Sequence, residues 1–338
     1  MGRTYQNILV IRFSALGDVA MTIPAIYSVG AAYPHVKLHM LTTSPNNLLF
    51  VNRSDNILIH HYSRQEIRGI FGTIRLLKDL SKMPIDAVAD LHNVLRSWVI
   101  DAFFFLCGKK ISILNKMRKE RRAILYKHKD TSIPYSKRYF HVFARLGLAC
   151  EPSFKGLYKD FSPALPNGFS KQSQKIWIGI APFARYENKT YPLSQMREVV
   201  FQLASSEEKE IFLFGSAGTE AQLLNAWCKK SNVHCIAGLL TLDKELALMS
   251  QMNVMVTMDS ANMHLASLVG VRVISIWGST TPACGFLGWG QKSDDAIMAD
   301  LSCQPCTISG SCSCRNSTFS CLKKLSPNII IEKILKSL

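Results

Sequence analysis

The chain has 338 residues, of which 48% are hydrophobic and 19% are charged, a composition that indicates a globular protein and excludes a disordered one. Its formal net charge is +16, but residues 1–165 contain 24 Lys and Arg against 11 Asp and Glu, whereas residues 166–338 contain 16 against 13. No apolar run reaches the roughly 18 residues that a spanning helix needs. With no signal-peptide pattern before the first apolar run, we expect the chain to be cytoplasmic.

Strand-like and helix-like segments alternate through the first half. The predicted strands are 7–13, 36–43, 57–62, 85–92 and 109–114, and the predicted helices are 19–33, 67–83 and 94–106. Residues 150–175 lose this periodicity and are rich in Pro, Gly, Ser and Asn, which predicts a linker.

The alternation restarts beyond the linker. The predicted strands are 176–181, 210–214, 233–237, 254–258 and 271–277; the predicted helices are 192–205, 220–230, 241–252 and 261–269, with an amphipathic helix over 328–338 that packs on either domain. This order predicts an α/β protein of two doubly wound, Rossmann-like domains, 1–165 and 166–338, facing across a cleft. Ligands of such sheets bind at the carboxyl ends of the strands.

Two motifs directly follow predicted strands. In RFSALGD, residues 12–18, Asp18 stands near a helix N-terminus, either as a general base or as an N-capping residue. In MDSANMHLA, residues 258–266, Asp259, Ser260 and Ala261 open a helix whose free N–H groups suit a phosphate. His264 lies one turn into that helix, and the alternative is a packed core histidine.

Two further loops join a strand to a helix. Lys189 in the loop 181–192 is either a cation for a diphosphate or a solvated lysine. Glu220 follows FGSAGT, residues 214–219, and is either an acceptor for ribose hydroxyls or an ordinary first-turn glutamate.

Taken together, RFSALGD, the loop ending NKTYP, FGSAGTE and DSANMHLA with the later WGSTTP resemble glycosyltransferase family 9, the lipopolysaccharide heptosyltransferases. The resemblance covers nearly the whole chain. It implies a metal-independent, inverting enzyme of the GT-B fold without a cofactor, which uses ADP-heptose as donor and the lipopolysaccharide core, an anionic glycolipid, as acceptor. The first domain would bind the acceptor and the second the nucleotide sugar.

The resemblance also implies roles for individual residues. Asp18 matches the proposed catalytic base, Lys189 the lysine on the donor diphosphate, and Glu220 the acid on the ribose. The donor-binding segment D-[ST]-G-x-x-H matches Asp259, Ser260, Ala261 and His264. The chain departs from the pattern in having Ala261 where many members have Gly, and Ala184 and Arg185 where small hydroxyl residues are frequent.

The segment 109–129 holds nine Lys and Arg against Glu120 alone. Like charges this close repel one another unless an anion neutralises them, so we expect the segment to meet acidic acceptor sugars, lipid phosphates or the anionic inner face of the membrane. The residues taken as acceptor-binding are Arg118, Lys119, Arg121 and Arg122. The alternative is a solvated basic loop.

Five cysteines crowd the segment 303–321. Cys303 and Cys306 form a C-x-x-C pair, and with Cys314 and Cys321 they make up a ligand set for structural zinc. Cys312 is the fifth cysteine of the segment. The alternative is a cysteine-rich surface loop.

Three other functions remain open from the residues themselves. A polyanion- or nucleic-acid-binding module explains the basic half, but no nucleic-acid-binding motif is present, and we expect no nucleic-acid partner. A nucleotide-sugar epimerase shares the two-domain architecture but leaves the basic segment unexplained. A transferase relative that has lost its activity is the third.

Overall fold

The fold comes from a computed structural model that describes residues 5–127, 133–311, 314 and 318–338. Through these residues the chain divides into two compact units. The first spans Met1–Lys116 and Ile133–Lys155, and the second spans Met117–Ser132 and Gly156–Leu338. The predicted boundary after residue 165 thus falls ten residues later than this division. The basic segment from Met117 also groups with the second unit instead of the first.

A five-stranded parallel sheet forms the centre of the first unit. Its strands are β1 (Asn7–Ile11), β2 (Lys37–Thr43), β3 (Ile57–Tyr62), β4 (Ala87–Asp90) and β5 (Lys110–Ile113). Their order is β3-β2-β1-β4-β5, so β1 pairs with β2 on one side and with β4 on the other. All five lie within or overlap the predicted strands, because continuous apolar runs are typical of strands buried on both faces.

The helices here are α1 (Leu16–Ala20), α2 (Ile23–Ala32), α3 (Gly69–Ser81), α4 (Leu95–Leu106), α5 (Arg118–Lys127), which groups with the second unit, and α6 (Tyr135–Ala144). The prediction of one helix over 19–33 was wrong. Pro24 has no N–H to donate to the preceding turn, so the chain ends α1 at Ala20 and starts α2 three residues later. The basic segment is helical over Arg118–Lys127 and is not a loop there, while Arg118, Lys119 and Arg122 are exposed to solvent as that alternative expected.

A six-stranded parallel sheet forms the centre of the second unit. Its strands are β6 (Ile176–Ala181), β7 (Lys209–Leu213), β8 (Val233–Cys235), β9 (Val254–Met258), β10 (Val273–Ile276) and β11 (Ala296–Ile297). The order β11-β10-β9-β6-β7-β8 repeats the arrangement of the first sheet with one strand added at its edge. Both sheets are therefore doubly wound, as predicted, with the reversal of strand order beside β1 and β6.

The helices of the second unit are α7 (Leu193–Leu203), α8 (Thr219–Asn225), α9 (Leu242–Met249), α10 (Ala261–Leu268), α11 (Ser320–Lys323) and α12 (Pro327–Leu335). The C-terminal helix α12 packs against α7. Ile330 and Ile334 belong to the core cluster of the second unit, so this helix packs on its own unit, one of the two options that the sequence left open.

No helix in the described part of the chain is long and apolar enough to cross a membrane.

We expect Ile330→Ala to lower the free energy of unfolding of the second unit by about 2–4 kcal/mol, because it removes a fully buried side chain and leaves a cavity between α12 and α7. The neighbouring Ile329 is half exposed, so Ile329→Ala is the matched control and should change stability by less than about 0.5 kcal/mol. Urea unfolding of both variants measures the difference. Equal losses in the two variants would contradict the packing of α12 on the core.

Candidate functional site

An ion pair stands directly beyond β1 in the first unit. Arg12 is buried, and its guanidinium lies 2.7 Å from Oδ2 of Asp18 and donates to the Leu91 carbonyl at 2.7 Å. Oδ2 of Asp18 also accepts from the Ala15 N–H at 3.2 Å, which caps the start of α1. Asp18 is thus the third residue of α1, whose N-cap residue is Ala15, so the prediction of Asp18 as the N-capping residue itself was wrong. The contact with the Ala15 N–H is compatible with a base. Both contacts use Oδ2, and the Asp18 side chain keeps a third of its surface exposed.

His92 closes the same end of the sheet from the β4 side. Its Nδ1 accepts from the Phe13 N–H at 3.4 Å, and its ring lies against the Phe13 ring. Burial and the nearby Arg12 guanidinium lower the pKa of His92 from 6.5 to about 3. The imidazole is thus neutral and does not compete with Arg12 for the Asp18 carboxylate.

A second ion pair stands at the carboxyl end of β9 in the second unit. Nζ of Lys189 lies 2.7 Å from Oδ2 of Asp259, and both side chains are almost entirely buried. The same oxygen accepts from the Thr280 hydroxyl at 2.6 Å. Lys189 ends a short 3-10 helix, Glu187–Lys189, so the predicted loop lysine is held in place and is not a solvated side chain.

Hydroxyl groups without partners surround this pair. Ser260 is the N-cap residue of α10, and Ser279 and Thr281 flank Thr280 just beyond β10. The buried hydroxyls of Ser260 and Ser279 make no hydrogen bond to any described residue, whereas the Thr281 side chain is in hydrogen-bonding contact with Cys284. Because a buried polar group without a partner is unfavourable, such a group of hydroxyls indicates a site for a polar ligand.

The cysteine-rich segment, 303–321, contacts the residues of this site directly. The Cys306 and Thr307 N–H groups donate to the Ser279 carbonyl at 3.0 and 3.2 Å, and the Gln304 amide donates to the Gly278 carbonyl at 2.7 Å. Gly310 lies against the aliphatic stem of Lys189, and a Cβ at this position would come within 2.5 Å of the lysine Cδ. The segment therefore fixes the loop after β10 and the position of Lys189.

The other predicted donor-site residues are spread over three positions. Ala261 is the first residue of α10, and His264 is buried one turn later. Glu220 lies in the first turn of α8, where its carboxylate accepts from the Ser216 N–H at 2.6 Å. Glu220 thus lies in the first turn of the helix, as its structural interpretation predicted, and it also closes the turn after β7.

The predicted acceptor-binding residues lie on α5. Arg118, Lys119 and Arg122 are exposed, whereas Arg121 is partly buried with its guanidinium 5.9 Å from the centre of the Phe286 ring. Lys129, which belongs to the basic segment, lies outside the described residues.

Cys303, Cys306, Cys314 and Cys321 form no disulfide, and Cys312 lies outside the described residues. Burial, together with the neighbouring thiols of Cys306, Cys303 and Cys314, raises the pKa of Cys321 to about 11. Within residues 5–127, 133–311, 314 and 318–338, no group of three or more His, Cys, Asp or Glu side chains is placed to hold a metal ion. The zinc site stays a prediction for which the described thiols supply no ligand set.

Three residues of these sites were missed from the sequence. Arg12 stood inside a quoted motif without a role, while Thr280 and His92 were not considered. The available signal for Thr280 was a run of three hydroxyl residues, 279–281, directly after a buried strand. No comparable signal points to His92, because its contact with β1 depends on the pairing of β1 with β4.

Two doubly wound sheets, with a buried lysine and unpartnered hydroxyls beyond the second, fit the GT-B fold of nucleotide-sugar-dependent glycosyltransferases. A sequence profile of glycosyltransferase family 9 (heptosyltransferase) matches residues 73–314. The chain belongs to this family, which confirms the predicted family, its transferase activity and the predicted fold.

Relatives match the chain over nearly its full length. Lipooligosaccharide heptosyltransferase 2 of Campylobacter jejuni serotype O:6 is 23% identical over 95% of this chain and 96% of its own. Among solved structures, Escherichia coli heptosyltransferase WaaC with ADP has a TM-score of 0.72 at 16% identity and covers 98% of this chain and 100% of its own. The family 9 glycosyltransferase from Veillonella parvula has a TM-score of 0.74 at 17% identity, and the match covers 100% of this chain and 98% of its own.

We expect acid to weaken the first unit partly through His92. Between pH 6.5 and about 3 the unfolded chain protonates this imidazole while the folded chain keeps it neutral, so the stability of the folded state falls as the pH drops through that range. One such group contributes up to about 1.4 kcal/mol per pH unit. Urea unfolding of wild type and His92→Gln at pH 7 and pH 4.5 measures this loss of unfolding free energy. An unchanged pH dependence in the variant would contradict the neutral, buried imidazole.

Proposed function

We propose that this chain transfers a heptose from ADP-heptose to the core of lipopolysaccharide or a related anionic glycolipid, with inversion at the anomeric carbon. The curated relatives are lipooligosaccharide and lipopolysaccharide heptosyltransferases, and solved relatives were obtained with ADP and with an ADP-heptose analogue. The observation that carries the proposal is the buried Lys189–Asp259–Thr280 group, with the Ser260 and Ser279 hydroxyls beside it left without partners among the described residues.

The donor diphosphate is placed against Lys189 and the first turn of α10. The N-terminal N–H groups of a helix and its positive dipole end attract an anion, and Ser260 adds a hydroxyl there. Asp259 carries negative charge and would repel a diphosphate, so its role is to orient Lys189 together with Thr280. As the sugar leaves, ADP gains negative charge, which Lys189 and these N–H groups stabilise.

Asp18 acts as the general base. Arg12 and the Ala15 N–H hold Oδ2, so the carboxylate has a fixed orientation while Oδ1, free of hydrogen bonds to described residues, receives the proton of the acceptor hydroxyl. That oxygen attacks the anomeric carbon from the face opposite the diphosphate. The new glycosidic bond forms as the bond to ADP breaks, and a single displacement inverts the centre.

The acceptor is bound through its negative charges. Arg118, Lys119 and Arg122 on α5 are exposed and have only Glu120 as an acidic neighbour on that helix, so they suit phosphates and acidic sugars of the acceptor. The same charges favour a peripheral position at the anionic inner face of the cytoplasmic membrane. Glu220 and His264 remain proposed donor contacts for the ribose and the sugar-diphosphate.

We expect Lys189→Ala to weaken the binding of ADP by about tenfold to a hundredfold, because it removes a charge-assisted hydrogen bond to the diphosphate. Calorimetric titration of ADP, UDP, GDP and CMP into wild type should show a preference for ADP. Lys292→Ala, which removes an exposed lysine of the same unit, is the matched control and should bind ADP as wild type does. Absence of nucleotide binding to wild type would disprove the donor site.

We expect Asp18→Asn to lower kcat by about a hundredfold to ten-thousandfold, because the amide keeps the shape of the side chain but does not accept the proton. ADP binding should be unchanged, since Asp18 belongs to the first unit. The exposed Asp160 provides the matched control, and Asp160→Asn should retain full activity. Proton NMR of the product tests inversion; retained configuration, or full activity of Asp18→Asn, would exclude this mechanism.

A further inference from the structure

The outward face of α4 carries apolar side chains along its whole length. Leu95, Trp98, Val99, Ala102, Phe105 and Leu106 are all exposed and define what we call the apolar ridge. Their spacing of three and four residues places them on one face of the helix. Phe105 is 69% exposed and Leu106 is 85% exposed. A continuous exposed apolar surface of this kind marks an interaction site.

The inward face of α4 fixes the ridge in this orientation. Ser97 and Asp101 are buried on that face, and the Ser97 hydroxyl donates to Oδ2 of Asp90 at 2.7 Å. Ile100 and Phe104 belong to the core of the first unit. A rotation that buried the ridge would break the Ser97–Asp90 bond and expose the two core side chains, so the ridge cannot be hidden within this unit.

The neighbouring helix α3 extends the apolar surface. Ile70, Phe71 and Ile74 in its first half are more than half exposed, and α3 packs against α4. The exposed side continues towards the end of α3 with Arg75 and Lys78 instead, and with Lys82 directly after the helix. Apolar and basic side chains thus follow each other along one helix.

The charge around the ridge favours an anionic partner. Lys109 and Lys110 follow the end of α4 and add to the three cations at the end of α3. The acidic residues of the segment 64–110 are Glu66, Asp79, Asp86, Asp90 and Asp101, and the last two are buried. Lys82 pairs with Asp79 at 3.9 Å, and the Asp86 carboxylate accepts from the Gln6 and Asn7 N–H groups. A second copy of this chain would set the same cations against each other, whereas anionic lipid neutralises them.

The length of α4 decides how it meets lipid. Its 12 residues extend about 18 Å, well short of the roughly 30 Å of a hydrocarbon core. Helices with aromatic and aliphatic residues on one side and lysines at their margin lie in the plane of the membrane interface. The ridge has this composition.

We propose that the apolar ridge of α4, with Ile70, Phe71 and Ile74 of α3, inserts in plane into the interface of a bilayer that contains anionic phospholipid. The inference deepens the membrane association of the proposed function and rests on it for its biological purpose. It differs from attachment by charge alone because apolar contact persists in high salt.

The test is sedimentation of the full-length protein with large unilamellar vesicles of 70% phosphatidylethanolamine and 30% phosphatidylglycerol, in 0.1 and 0.5 M NaCl. We expect wild type to bind at both salt concentrations, and the double variant Phe105→Ser with Leu106→Ser to have a partition coefficient lower by about tenfold or more at both. Brominated lipid should quench tryptophan fluorescence in wild type and quench it less in Trp98→Phe.

The matched control replaces two exposed apolar residues away from the ridge, Phe161→Ser with Leu335→Ser, and should bind as wild type does. Circular dichroism and activity on a deacylated, soluble acceptor check that the ridge variant is folded, and they test the proposed function separately from lipid binding. Wild-type binding that disappears in 0.5 M NaCl, or equal binding by the ridge variant, overturns the proposal. If the protein does not bind vesicles but forms a dimer that the ridge variant loses, the proposal is also overturned, because the ridge then contacts a second copy of the chain.

Discussion

A carboxylate buried at the end of a parallel strand needs a cation and hydrogen-bond donors, because the charge has lost its contact with water. Asp259 is such a group, and Lys189 and Thr280 provide the compensation from two separate loops. Each loop therefore has to reach the carboxyl end of β9. The geometry of the donor site follows from satisfying this one charge.

The cysteine-rich segment is best understood from the same constraint. A lysine held only by an ion pair keeps considerable freedom in its stem, but Gly310 packs against that stem and leaves no room for a side chain of its own. The N–H groups of Cys306 and Thr307 hold the carbonyl of Ser279, next to Thr280. The segment thus limits the motion of both partners of Asp259, which preorganises the diphosphate site that we propose there.

The alternation of strands and helices was predictable, since strands buried in a parallel sheet have continuous apolar sequences. The helices between β5 and β6 were not predicted. The sequence of α5 is dominated by charge and has no clear apolar period, and α6 was not considered. Asp18 and Lys189 were proposed from motifs at strand ends, and the structure shows each of them in an ion pair. His92 and the contact of Arg12 with Leu91 were missed because they join β1 to β4, 79 residues away in the chain. Thr280 was missed although the run of hydroxyl residues 279–281 marked it.

The orientation of α4 could not be predicted from the apolar periodicity of its sequence. The sequence predicts a very apolar helix, and the usual expectation buries most of its apolar side chains. Instead Ser97 and Asp101 face the sheet, where burial and the nearby Asp90 carboxylate raise the pKa of Asp101 to about 8. At neutral pH this acid is mostly protonated, so the core accepts it as a neutral group, at a cost that increases above its pKa in the unfolded chain.

The burial of Ser97 and Asp101 also determines which side chains lie on the outside of α4. With two polar positions of α4 turned inward, the apolar ridge faces outward on the same compact unit that holds Arg12 and Asp18. An interaction surface of this type lowers stability in water and is retained where it serves a function. Under the proposed function, the unit that carries the proposed base is then also the unit with the proposed lipid contact. In that arrangement an amphiphilic acceptor would reach Asp18 from a surface to which its lipid is already confined, instead of from free solution.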